Sequence, residues 1–169
     1  LGLQGLNTHL TLNFKNKIFC RPSGITMLSC LYYNKKDLLT IKYTNSDFIR
    51  YLSRINFFYN LNIPNIEENF KRQDATANML ECTKIEKDGD PDLIDDKLNK
   101  ILKSHIIGKK NLILGILLTT YEIVDNILEH SMCNDFVKGD RIIDNPGFVS
   151  AQYYPKYNEI EIGISDLGK

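Results

Sequence analysis

The tightest constraint on this chain lies near its C-terminal end, where Glu159 to Asp166 alternates residue by residue. Ile160, Ile162 and Ile164 share one parity and Glu159 and Glu161 the other, the period-two pattern of a strand with one apolar face. Phe148 to Tyr154 precedes it across a turn at Pro155 to Asn158, so the two segments predict an antiparallel hairpin with one buried face. Asp166 has the parity of the isoleucines. The pattern therefore expects a carboxylate at the strand end on the core side, a costly place for a charge unless something donates to it.

Ahead of the hairpin, Asn111 to Ser131 predicts one helix, with Ile116, Thr120, Ile123, Val124, Ile127 and Leu128 on one side. Its first half is so apolar that burial on most sides is expected. The near-continuous apolar run Leu112 to Leu118 is far short of the roughly 20 residues a bilayer demands, so no membrane-spanning segment is expected. In the second half, Glu122 and Asn126 stand four apart, with Glu129 and His130 one turn later, forming a polar stripe that needs partners. A carboxylate beside an amide can position a water with one group and hold a hard cation with the other. Asp166 could accept from an amino group, and Gly168 would let a backbone or a flat ring approach closely.

The remainder sorts into two parts. Residues 1–63 alternate short strands (Thr11 to Phe14, Lys17 to Cys20, Leu38 to Tyr43) with helices, one over Ile25 to Tyr33. A second helix follows a cap at Thr44 to Ser46, with Phe48, Ile49, Leu52, Ile55 and Phe58 on one face, giving a small βαβα unit. Residues 64–92 are polar and turn-rich, a connection with at most one short element. Asp88, Asp90 and Asp92 do not open an EF-hand, because Leu93 and Asn99 occupy the positions that require Gly and Glu. Asp92 is instead expected to cap a helix running from Leu93 to about Ile106, which begins the third part, 93–169. A polar loop ending at Gly147 is expected before the hairpin. The fold class is α/β (α+β), with a mixed, largely antiparallel sheet covered by helices.

With 21 basic and 21 acidic side chains the formal charge is zero, which argues against a polybasic nucleic-acid or membrane binder. The cysteines at 20, 30, 82 and 133 form no C-x-x-C pair and no zinc spacing, so free thiols in a reducing cytoplasm are expected. No G-x-x-x-x-G-K-[ST] run occurs, which excludes a P-loop. The absence of an initiating Met, and an end directly after a strand-like pattern, lead us to expect a fragment of a longer protein.

Tyr121-Glu122-Ile123-Val124-Asp125-Asn126-Ile127-Leu128-Glu129-His130-Ser131 resembles the N-box of the GHKL ATPases, the class of gyrase, the ninety-kilodalton heat-shock chaperone, mismatch-repair ATPases, histidine kinases and anti-sigma-factor kinases. Ile162 to Lys169, with Asp166-Leu167-Gly168, looks like the start of that family's first glycine box, D-x-G-x-G, and the order of the two motifs agrees. The resemblance implies a Bergerat-type α/β sandwich that binds ATP, with Asn126 coordinating the Mg2+ that bridges the phosphates. It further implies Glu122 as general base, Asp166 as acceptor from the adenine amino group and Gly168 flanking the adenine pocket. The last glycine of the box, the lid and the second glycine box would fall after residue 169, so 1–169 alone is expected to bind nucleotide weakly or not at all.

The N-terminal unit is faintly similar to STAS domains through Leu12-Asn13-Phe14, Ile18-Phe19 and Pro22-Ser23-Gly24-Ile25. That resemblance implies a protein partner and places Ser23 where antagonists of that type are phosphorylated, although a plain helix-capping turn is the better reading. The expected function is an ATP-binding module of a cytoplasmic signalling or switch protein with Mg2+-dependent hydrolysis or phosphoryl transfer. The alternative is a nucleotide-gated or non-binding interaction module without turnover. His130 is expected to cap its helix, His9 and His105 to be structural, and Phe57, Phe58 and Tyr59 to lie in the core.

Overall fold

The structure is a computed structural model that describes residues 9–14, 19–43, 46–63, 75–86, 90–130, 132–137, 140–143 and 146–167. The expected strand at Lys17-Ile18, the Thr44-Asn45 part of the cap, Asp88 and most of the polar connection lie outside them. The chain is a mixed α/β arrangement. Its N-terminal part runs β1 (Leu10–Phe14), α1 (Pro22–Lys35) and β2 (Leu39–Tyr43), with β1 and β2 paired in parallel through the helical crossover. Then come α2 (Ser46–Arg54) and α3 (Phe57–Asn60).

The single helix expected across Phe48 to Phe58 is broken. Asn56 takes a left-handed conformation at φ 61°, which ends α2 and starts α3 in a new direction. The predicted apolar face survives the break: Phe48, Leu52, Ile55 and Phe58 are all buried. Of the three adjacent aromatics, Phe57 and Phe58 are buried while Tyr59 is exposed.

The polar connection holds β3 (Met79–Ile85), which pairs with the first strand of the C-terminal hairpin. After it come α4 (Asp90–His105) and α5 (Lys110–His130), then β4 (Met132–Val137) and β5 (Asp140–Ile143). The last two form an antiparallel pair where a loop was expected. The hairpin itself is β6 (Gly147–Tyr154) and β7 (Glu159–Ser165), and the main sheet has the order β3-β6-β7. Helix α4 starts three residues earlier than expected. Asp90, not Asp92, sits at its start, accepting from the Glu86 amide at 2.8 Å, while Asp92 is exposed in the first turn.

The register of the hairpin explains how both faces of this sheet are covered. Val149, Ala151 and Tyr153 pair with Ile164, Ile162 and Ile160, and this face packs on α4 and α5 through Leu98, Leu102, Leu117, Val124 and Leu128. Phe148, Ser150, Gln152 and Tyr154 pair with Ser165, Gly163, Glu161 and Glu159, and this face meets α1. Phe148 and Cys82 share a second core with Ile25, Cys30, Leu52, Phe57 and Phe58. The sheet is thus the middle of three layers. The expectation of one buried face is corrected, because α1 closes over the glutamate side.

Helix α5 also departs from expectation. Ile113, Leu117, Thr120, Val124, Ile127 and Leu128 are buried, but Leu114 and Leu118 are 56% and 58% exposed, and Ile123 is exposed too. One apolar stripe is packed and another is open, so the first half is not buried on most sides. By length and composition alone α5 is the one described helix apolar enough to cross a membrane, a point the shorter Leu112 to Leu118 run did not reveal.

Candidate functional site

Two element ends meet at Gly147, the first residue of β6. A Cβ placed there would stand 2.8 Å from Ile127 Cγ2 on α5 and 3.2 Å from the Ser165 carbonyl oxygen on β7. Only glycine leaves room for that approach. The consequence is that Ile127 of α5 and the Ser165 end of β7 both close on this one residue of β6.

A groove lies between α5 and the edge strand β7, walled by Gly115, Thr119 and Ile123 on one side and by Ile162 and Ile164 on the other. Its volume of about 490 Å³ falls within the range of small-molecule sites. Past Ile116 and Ile162 it continues into a second hollow of about 480 Å³ beside Leu102, Tyr153 and His105. There the His105 ring stacks on Tyr153 at 3.5 Å between centroids, and its Nε2 lies 3.0 Å from the Ala77 carbonyl and 2.9 Å from Asn78 Oδ1. His105 therefore has a structural place, as expected. His9 contacts Thr40 Oγ1, and His130 is the exposed last residue of α5.

The groove walls are largely apolar, and Glu122, Asn126 and Asp166 are not among the residues that line it. Glu122 and Asn126 continue the helical row of Gly115 and Thr119, at spacings of four, three and four, and both are exposed. Asp166 is exposed as well. The β6–β7 ladder ends with the pair Phe148 and Ser165, so Asp166 leaves the pleat, and the buried core-side carboxylate expected from parity is not found. Gly168 lies outside the described residues. Among the described residues no three His, Cys, Asp or Glu side chains cluster to hold a metal. A lone amide such as Asn126 fits a Mg2+ ion that takes most of its oxygens from water and a ligand's phosphates.

The opposite face of β7 carries a polar cluster that sequence reasoning missed. Glu161 Oε1 accepts from the Ser23 hydroxyl at 2.8 Å and the Ser23 amide at 3.3 Å. One guanidinium nitrogen of Arg21 reaches Glu159 at 2.8 Å and Glu161 at 2.9 Å. Arg21 is the N-cap residue of α1 and makes no side-chain cap, so the carboxylate of a distant strand satisfies this helix start instead. Burial pushes the Glu161 carboxyl up, but the Ser23 hydroxyl, Arg21 and the Ser23 amide outweigh it and hold it below its ordinary value. Ser23 lies in the first turn of α1 and its hydroxyl donates to Glu161 rather than capping a helix amide, so a phosphate there would be forced against that carboxylate.

Further along α1, Thr26 Oγ1 lies 2.9 Å from Ser165 Oγ, and the Cys30 thiol donates to the Ser165 carbonyl at 3.0 Å. Burial, then Cys82, then Asp166 push the Cys30 thiol up to about 12, so it stays protonated and remains a donor. The signal in the sequence was Gly163, a glycine inside an otherwise regular strand. A Cβ there would meet the Ser23 nitrogen at 2.4 Å and the Pro22 carbonyl carbon at 2.5 Å. Compared with known proteins, the chain matches no family model, no curated protein and no solved structure.

Proposed function

We propose that the chain carries the N-box helix and the adenine-reading strand of a GHKL-type ATP site, within a cytoplasmic signalling or switch protein. In this reading β3, β6, β7, α4 and α5 belong to a Bergerat-type sandwich and β1 to α3 form a STAS-like unit. The observation that carries it is the approach at Gly147, where Ile127 of the N-box-like helix and Ser165, next to Asp166 in the second motif, close on one glycine.

The roles follow from the chemistry of each group. The apolar walls Ile123, Ile162 and Ile164 suit a flat base, and the Asp166 carboxylate accepts from its amino group. Asn126 offers an amide oxygen to the Mg2+ that accompanies the phosphates, and Mg2+ supplies charge neutralisation there. Glu122, one turn before Asn126, is placed to take the proton of an attacking water. Calorimetric titration of Mg-ATP into the intact protein and into residues 1–169 tests the reading. Saturable binding by the intact protein supports it, whichever way the 169-residue chain behaves. Binding by neither overturns it.

The second reading is an interaction module, nucleotide-gated or non-binding, that docks a partner through its N-terminal unit. It is favoured by Phe19, Met27 and Tyr59, which stand 62%, 61% and 78% exposed there. Titration that gave no nucleotide binding would leave this reading standing.

A further inference from the structure

We propose that α1 is the strut that sets the position of Asp166, with Thr26 and Cys30 as positioning residues acting through Ser165. The inference rests on the nucleotide reading above for its consequence, but not for its geometry.

Both hydrogen-bonding ends of Ser165 are held from the face of the sheet away from the groove. Its hydroxyl meets Thr26 Oγ1 and its carbonyl accepts from the Cys30 thiol. Thr26 and Cys30 are four apart on α1, which puts them on one stripe, and both are fully buried. Ser165 is the last residue of β7, so beyond Phe148 no ladder pair fixes the chain. The residue that follows is Asp166.

Two further contacts set the height of α1 above the strand. Gly163 admits the backbone of Pro22 and Ser23, and Glu161 clamps the helix start through Ser23 and Arg21. Glu161, Gly163 and Ser165 are three successive positions of one parity, so a single edge strand carries the α1 contacts on one face and Ile160, Ile162 and Ile164 on the other. Anything that lifts α1 therefore frees the strand end. By linkage, a ligand that holds Asp166 in place tightens the docking of α1 in return. The N-terminal unit becomes a control element for the groove, and a protein that competes for α1 would weaken nucleotide binding without touching the groove.

The test compares the intact wild-type protein with the double substitution Thr26→Val, Cys30→Ala, and with the conservative pair Thr26→Ser, Cys30→Ser, which keeps a hydrogen-bonding hydroxyl at both positions. Amide hydrogen exchange over residues 163–167 is read without nucleotide, and Mg-ATP affinity is read by calorimetry. The expected result is about tenfold faster exchange and about tenfold weaker Mg-ATP binding in the first variant, with both restored in the second. Unchanged exchange in the first variant overturns the strut. Faster exchange with unchanged Mg-ATP affinity overturns the coupling to the site. If the wild type binds no Mg-ATP, the nucleotide reading falls, and the strut is then decided by the exchange data alone.

Discussion

Glu161, on the edge strand of the main sheet, caps the start of the helix that begins at Pro22, taking the Ser23 hydroxyl at 2.8 Å and the Ser23 amide at 3.3 Å. Two segments 138 positions apart are joined there. The contact fastens the start of α1 to β7, and its charge gives the first prediction.

Because the folded Glu161 carboxyl titrates below its ordinary value, its contribution to stability is present above that value, about pH 4.3 for a free glutamate side chain. It is lost as pH falls through the lowered folded value. Glu161→Gln should therefore flatten the acid limb of the stability-against-pH curve while changing neutral stability modestly, since Arg21 is half exposed and screened. Urea unfolding at a series of pH values measures this. An acid limb identical to that of the wild type would remove Glu161 from the account.

Gly163→Ala should cost about 1 to 3 kcal/mol, the range for forcing an extra methyl into a close-packed contact. The atoms in its way are backbone of Pro22 and Ser23, which cannot swing aside as a flexible side chain would. By contrast Gly115→Ala, whose Cβ meets nothing within 4 Å, should be neutral or slightly stabilising as a helix substitution. Equal midpoints for Gly163→Ala and wild type in thermal unfolding would show that α1 does not sit where described.

The elements that were legible in the sequence are those governed by local periodicity. The β6–β7 hairpin followed from strict alternation and an obvious turn, and α4 and α5 from their apolar rows. What stayed hidden was decided by distant neighbours. Glu159 and Glu161 read as a solvated face because nothing near them in sequence announces the arginine and serine that meet them. Strand β3 lay inside a stretch whose flanking polar residues masked Leu80, Cys82 and Ile85. The break at Asn56 needed a single positive φ that the apolar spacing ignores. At the site, Glu122, Asn126 and Asp166 were named from motif spacing, whereas Gly147, which brings their elements together, looked like an ordinary turn residue.

The buried thiols should be slow to react. Cys82 is shifted up to about 11 and Cys30 up to about 12, in both cases chiefly by burial, and both are 1% exposed. At pH 8 a disulfide reagent followed cysteine by cysteine should label Cys30 and Cys82 only as fast as the core opens. Denaturant should raise both rates to that of a free thiol. Since the folded values lie above the ordinary one, the neutral thiols favour the folded state fully below the ordinary thiol range, and that contribution fades as pH climbs toward the folded values. Rapid labelling of Cys82 in native conditions would contradict the core assigned to it.

The last prediction separates the two carboxylates of the candidate site. Asp166→Asn removes the charge and replaces one of the two acceptor oxygens by an NH2 group, weakening the bond from the adenine amino group, so Mg-ATP affinity in the intact protein should fall by about 1 to 3 kcal/mol. Glu122→Ala leaves the base contact alone and should spare affinity. If Glu122 orients and deprotonates the attacking water, that substitution lowers turnover by about 10² to 10⁴. Both residues are exposed, so neither substitution should shift the melting temperature by more than a degree or two, and a lost activity would not be a lost fold. Normal turnover in Glu122→Ala would strip that residue of its catalytic role while leaving Asp166 to be judged by affinity. Unchanged affinity in Asp166→Asn would take the strand end out of the pocket and leave the groove between α5 and β7 without its adenine-reading carboxylate.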